Sequence, residues 1–190
     1  MSHVKLGNLV GKLEPELRSA LEQAAGVAMK QKVAAIEVEH WLVQVLAVRD
    51  QAFETFLKVQ NVDSSALLSE LTSRLDRIPK GAEGQPTVSA GLSELIEAAW
   101  MQASVNFGHG QVNALHILLV LVQADAFGMK KVNLPSLQTV SVESLQTKIS
   151  RLQHVTGLST TAAGEAGAAA QGGGEGGALD KYTINLTQQA

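Results

Sequence analysis

Apolar residues recur along this chain at helical spacing, in two matching arrangements. The strongest stretch is Ile36 to Leu46, IEVEHWLVQVL, and it returns at Val112 to Val122 as VNALHILLVLV. Each copy carries a histidine early in the run (His40, His116), has leucine two places on (Leu42, Leu118), and follows an Ala-rich amphipathic stretch. A helix this apolar needs neighbours on several sides, so each copy is expected at the centre of its own small bundle.

The rest of the chain supplies those neighbours. Leu6, Leu9, Val10 and Leu13 follow i, i+3, i+4, i+7 spacing and predict a short amphipathic helix, with Ser2 available to cap it. Gly7 and Gly11 weaken that helix by about 1 kcal/mol each relative to alanine. It should form only where it packs, as a helix docked on the core, one wall of a groove or a removable lid. Pro15 suits the first turn of the next helix, whose buried stripe is Leu17, Ala20, Leu21, Ala24, Val27 and Ala28. Gln31 to Ala35 reads as a turn, after which Val38, Trp41, Leu42, Val45 and Leu46 point inward. Phe53, Phe56 and Leu57 mark an amphipathic piece within 50–60. Asp63 is an N-cap flanked by a Val62–Leu67 hydrophobic staple, with Leu68, Leu71 and Leu75 continuing the apolar face. Two prolines and two glycines make 79–86 a loop.

The second half repeats the plan. Thr87 or Ser89 caps a helix carrying Leu92, Leu95, Ile96, Ala99, Trp100 and Ala103. Leu21, Glu22, Ala24 and Ala28 match Ile96, Glu97, Ala99 and Ala103 at an offset of 75. The offset is 76 at the two histidines and 78 at the last staple, Val140 and Leu145, where a final helix begins at Ser141. Slowly growing offsets are what a duplication with small insertions leaves, and the repeats are expected over about 14–78 and 87–155. Strand signals are nearly absent.

Composition changes this picture at one place. From Gly157 the chain turns to Gly, Ala, Ser, Thr and Glu, which cannot offset the entropy of ordering. A disordered Gly/Ala-rich linker is expected over 156–178, with an r.m.s. reach of ~25 Å. Leu179 to Ala190, LDKYTINLTQQA, then resumes ordered-looking sequence, as though a front domain were tethered to something larger. With 45% hydrophobic residues among 190, the part before the linker can bury a good core. The absence of cysteine excludes thiol catalysis, Cys-ligated zinc and a disulfide framework. A net charge of −3 gives no reason to expect nucleic acid. No signal peptide or membrane-spanning run is visible, so a cytoplasmic protein is expected.

Enzyme constellations are missing. There is no P-loop and no H-E-x-x-H; beside Glu39-His40 the positions one turn away, 36 and 44, are Ile and Gln. His40 and His116 are expected to be structural, hydrogen-bonded to backbone, and His109, between two glycines, to be a mobile surface residue. Glu94 and Glu97 read as a solvated face. No catalytic, metal or cofactor-binding residue is expected, which leaves recognition, with an apolar peptide or helix held in a groove between helices.

The doubled IEVEHWLVQVL and VNALHILLVLV pattern, the Gly-rich linker and LDKYTINLT, in that order, resemble the N-terminal repeat region of the Clp/Hsp100 AAA+ unfoldases. Leu6 to Ala25 and Leu134 to Gln146 are most similar to the ClpV branch, which serves bacterial type VI secretion. The resemblance implies an all-α, pseudo-twofold domain over 1–155 of two repeated four-helix units, about eight helices in all. It makes 179–190 the start of a first AAA+ module, ahead of any ATPase site. ATP and magnesium would then belong to the parent's missing modules, and the fragment is expected to be a monomer where the parent is a hexamer. The implied partner is the N-terminal helix of the large sheath subunit (VipB/TssC type), held so that the ring disassembles contracted sheaths. The implied groove is Val4, Leu6, Leu9, Val10 and Leu13 with Thr87, Val88, Ser89 and Leu92. The competing reading is the N domain of a general ClpB/ClpC-type chaperone or unfoldase that binds exposed apolar segments or adaptors.

Overall fold

The computed structural model describes residues 5–129 and 132–152. Ser2, Val4, the linker expected over 156–178 and the stretch 179–190 lie outside the described residues, as does the end of the repeat expected at 155. The element order is α1 (Leu6–Val10), α2 (Pro15–Lys30), β1 (Ala35–Ile36), α3 (Val38–Val48), α4 (Gln51–Val59), α5 (Ser64–Asp76), β2 (Thr87–Val88), α6 (Ala90–Met101) and α7 (Ala114–Val122). A π-helical turn, Gln102–Asn106, extends α6; a 3-10 turn, Pro135–Leu137, precedes a last helix over 142–152 (α8).

The helix starts follow the sequence. Pro15 occupies the first turn of α2. Asp50 Oδ1 accepts the Phe53 N–H at 3.0 Å, Asp63 Oδ1 that of Ser65 at 2.8 Å, Ser89 Oγ that of Leu92 at 3.2 Å, and Ser141 Oγ that of Ser144 at 3.3 Å. Each satisfies a donor that the first helical turn leaves unpaired. Both expected staples are buried at Val62 and Leu67 and at Val140 and Leu145. In the first repeat α3 packs on α2 and α5, and in the second α7 packs on α6. Trp41 and, at offset 76, Ile117 stand at the centres of the two units, each at most 1% exposed.

The two units are joined by a reciprocal exchange that strand propensity did not announce. β1 pairs in parallel with β2, placing Ile36 beside Val88, and an isolated parallel bridge places Leu13 beside Val112. These pairs are pseudo-twofold mates, since Val88 is Leu13 at offset 75 and Val112 is Ile36 at offset 76. The N–H that follows each crossing matches as well: Ser89 donates to Ile36 O at 3.1 Å and Glu14 to Val112 O at 2.9 Å. The segment entering the first helix of each unit thus pairs with the segment entering the second helix of the other. Two residues per strand are too few for period-2 alternation to register.

The step from 75 to 76 also has a structural cause. In the first unit Val33 N–H closes α2 onto Ala28 O at 3.2 Å, with Lys32 at φ 54°. In the second, His109 N–H closes onto Ala103 O at 2.7 Å, with Gly108 at φ 65°. The closure spans one residue more, and the π-helical turn, which takes an extra residue into its hydrogen-bonded ring, lies inside it.

Several side chains depart from expectation. The first helix ends at Val10 with Lys5 at its N-cap, and Leu13 belongs to the bridge. Leu68 is 42% exposed, because Leu67, Leu71 and Leu75 already fill the inward face of α5. Val27, Leu46 and Trp100 are half-buried at the edges of their stripes.

Candidate functional site

The two repeated histidines are caps. His40 Nδ1 accepts the N–H of Glu37 at 2.9 Å, and His116 Nδ1 that of Asn113 at 3.0 Å. Asn113 Oδ1 answers by accepting the N–H groups of Leu115 and His116 at 3.0 and 3.2 Å. This is a capping box in which histidine takes the place usually held by glutamate or glutamine. Because Nδ1 accepts, the ring proton sits on Nε2 in both. His40 Nε2 therefore donates to Gln31 Oε1 at 3.3 Å, and His116 Nε2 to His109 Nδ1 at 2.9 Å.

His109 is thus not the surface residue its glycine neighbours suggested. It is half-buried, packs with Phe107 and His116 at ring-centroid distances of 5.8 and 4.9 Å, and leaves its buried Nε2 without a partner. Its offset-76 mate is the buried Val33, a clue that the alignment of the repeats contained. Burial lowers the pKa values of His40 and His109; burial and the neighbouring His109 push His116 down to about 4. These neutral imidazoles serve as hydrogen-bonding groups, and among the described residues no group of three or more His, Asp or Glu is placed to hold a metal ion.

The structure brings together the two segments expected to form a peptide groove. α1 lies against α6, and Thr87 to Ser89 lead directly into α6. The nine expected residues divide there. Leu9, Leu13 and Leu92 are 3%, 0% and 0% exposed: Leu9 and Leu92 are closed off on α1 and α6, and Leu13 in the bridge to Val112. Leu6, Val10, Val88 and Ser89 are half-buried and Thr87 is exposed; Val4 lies outside the described residues. The members of the set left accessible are therefore Leu6, Val10, Thr87, Val88 and Ser89. Lys12, which lies off the apolar spacing, holds its Nζ 5.1 Å from the centroid of the half-buried Trp100 ring, a cation–π contact that marks the other end of the seam.

α1 itself is weakly held. Its N-cap makes no side-chain bond. Burying Leu9 and half-burying Leu6 and Val10 stabilises it by about 4 kcal/mol, against about 5 kcal/mol to fix the backbone of its five residues. By contrast, the 132–137 segment is pinned. Glu70 Oε2 accepts from Ser136 N and Oγ at 3.1 and 2.6 Å, and Arg74 bridges Glu70 at 3.2 Å, Glu39 at 3.7 Å and the Asn133 carbonyl.

A second feature lies beside the Leu13–Val112 crossing. Glu14, Glu16 and Asp50 line a shallow depression whose remaining walls are Leu17, Val45, Val48 and Ala114. Burial first, then Glu16 and Asp50, push Glu14 up to about 7. A carboxyl with a raised folded pKa stabilises the fold when protonated, so this contribution falls away as pH rises from about 4.5 to about 7. Glu14→Gln is accordingly expected to stabilise the domain at pH 8 by about 1 kcal/mol, a value discounted for the group's partial exposure, and to change nothing near pH 4.5. Urea denaturation of the two proteins at both pH values checks this.

Comparison with known proteins assigns the fold. Residues 12–132 match the Clp repeat (R) N-terminal domain, and the chain belongs to that family. Within it, the chain is 27% identical over its whole length to AAA+ ATPase ClpV1 of Pseudomonas aeruginosa, of which the match covers 22%. It is 31% identical over 95% of its length to the chaperone protein ClpB of Rhodopirellula baltica, of which 19% is covered. The chain therefore spans about a fifth of the length of these curated relatives. Among solved structures, one from a study of the coevolution of ClpV with the TssB–TssC sheath superposes with a TM-score of 0.70 at 24% identity, over 80% of this chain and 94% of that one. A complex of a ClpV N-domain with a VipB peptide superposes with a TM-score of 0.63 at 21% identity, over 77% and 89% of the two chains. Among the described residues no helix is long and apolar enough to cross a membrane.

Proposed function

We propose that this chain is the substrate-recognition domain of a ClpV-like AAA+ unfoldase. It binds an N-terminal helix of the large type VI sheath subunit so that the ATPase ring can take contracted sheaths apart. The observation that carries this reading is the contact of α1 with α6, which leaves Leu6 and Val10 on α1, and Val88 at the entry to α6, as accessible apolar surface. That surface suits the apolar face of an amphipathic helix. Two lines support the choice of partner: the full-length similarity to ClpV1, and the shared fold with a ClpV N-domain seen with a VipB peptide. On this reading the domain itself is non-catalytic, ATP and magnesium are held by the parent's AAA+ modules, and the whole works as a cytoplasmic hexamer.

The test is a titration of the domain with a labelled N-terminal peptide of its cognate large sheath subunit, run beside an unfolded apolar-rich polypeptide. Saturable binding near the micromolar range is expected for the peptide alone, since few anchors remain after ordering costs. Leu6→Asp and Val88→Asp should each weaken it at least about tenfold, by placing a charge where an apolar anchor is desolvated. Both positions are half-buried, so circular dichroism should report an intact fold. Binding to the unfolded chain with indifference to the sheath peptide would replace this reading with a general ClpB-type one.

A further inference from the structure

We infer that α1 is a hinged wall, closed on α6 in the free domain and swinging about Gly11 and Lys12 to admit the partner helix. The inference rests on the proposed function for its partner, and on the structure for the hinge. Of the residues expected to meet a bound helix, Leu9 and Leu92 are shut inside the seam. A helix can reach them only if α1 moves.

The attachments show where the motion is possible. Beyond the hinge the chain is fixed: Lys12 O accepts the Val112 N–H at 2.7 Å, Leu13 sits in the bridge, and Glu14 N–H donates to Val112 O. Before it, the N–H groups of Asn8, Leu9 and Gly11 end on carbonyls of residues 5 and 7, and only the turn bonds from Lys12 N–H to Leu9 O and from Leu13 N–H to Val10 O cross the pivot. Leu9 is the one side chain of α1 that is fully buried. The pseudo-twofold mate of α1, residues 81–85, is held otherwise: Gly81 and Ala82 both donate to Lys32 O, each at 2.8 Å. The duplicated segment is thus tied by backbone bonds in one unit and rests on a leucine in the other. Opening α1 about Gly11 gives up the Lys12 and Leu13 turn bonds, breaks neither strand crossing and leaves the Lys12–Trp100 contact in place as the seam's fixed end.

The chain's lack of cysteine gives a direct readout. A single Leu9→Cys thiol should react with a thiol reagent at least about 100-fold faster than a Leu71→Cys control, which is also buried but lies in the core of the first unit, because local opening needs far less free energy than global unfolding. Equal slow labelling at both positions overturns the hinge. In stopped-flow binding of the sheath peptide to the whole chain, Leu9→Ala should raise the association rate severalfold, since less must be broken before entry. An unchanged association rate with faster dissociation would make Leu9 a static contact and overturn the proposal. If the wild-type domain binds no sheath peptide, the choice of partner fails, while the labelling still decides whether α1 opens.

Discussion

Trp41→Ala is expected to cost the domain about 4 kcal/mol, toward the upper end for a single buried side chain. Trp41 is 0% exposed, and its Nε1–H donates to the Leu17 carbonyl at 3.1 Å, so the ring both fills the angle between α2 and α3 and is fastened to α2. Removing it empties the centre of the first unit. A domain of this size has about 5–15 kcal/mol in hand, so the urea midpoint should fall steeply. Trp41→Phe separates the two contributions. It keeps most of the volume and loses the hydrogen bond, and should cost about 1–2 kcal/mol. If the two variants were equally destabilised, the bond rather than the packing would dominate. Far-UV circular dichroism is the appropriate signal, since it does not depend on the residue removed. The reciprocal crossings imply that the loss reaches the second unit: with Ile36 paired to Val88 and Leu13 to Val112, neither half keeps its first-helix entry when the other unfolds. A single cooperative transition is therefore expected for the variant as for the parent.

What the sequence disclosed, and what it withheld, follows from how far each interaction reaches along the chain. Caps and staples are local, and Asp63, Ser89, Ser141, Val62–Leu67 and Val140–Leu145 were all legible from neighbouring residues. Duplication was legible because apolar spacing survives divergence. The strand crossings were not, since two-residue strands carry no pattern and their partners lie more than fifty residues away. His109 was misread because glycine on either side signals a loop, while its burial is set by Phe107 and by a histidine on another helix. At the candidate site the sequence placed apolar residues on both segments but could not give their depth. Spacing places Leu6, Leu9 and Val10 on one face, yet only the approach of α6 makes Leu9 an internal residue and leaves Leu6 and Val10 at the rim.

His116 should give the domain an acid limb that a glutamine removes. Its ring is wholly buried, its Nδ1 must stay unprotonated to accept the Asn113 N–H, and its pKa is pushed down to about 4. The unfolded chain takes up that proton near 6.5. Between these values the unfolded state binds more protons, so stability is fully present above about 6.5 and is lost as pH falls toward 4. The loss amounts to about 2 kcal/mol by pH 5. Glu14 works in the opposite sense over nearly the same window, since its carboxyl binds a proton more readily in the folded state. The two contributions partly cancel, so the parent should lose less stability from pH 7 to pH 5 than His116 alone would remove. His116→Gln keeps an acceptor at the capping-box position and removes this contribution, so on acidification it should lose less stability than the parent, with Glu14 acting in one sense and the buried His40 and His109 in the other. Glu14→Gln should lose more than the parent, with the full histidine limb exposed. Urea titrations of the parent and both variants at half-unit steps from pH 5 to pH 8 test this directly. If His116→Gln followed the same profile as the parent, the acid limb would have to arise at another group, and the cap would be stabilising without being proton-linked.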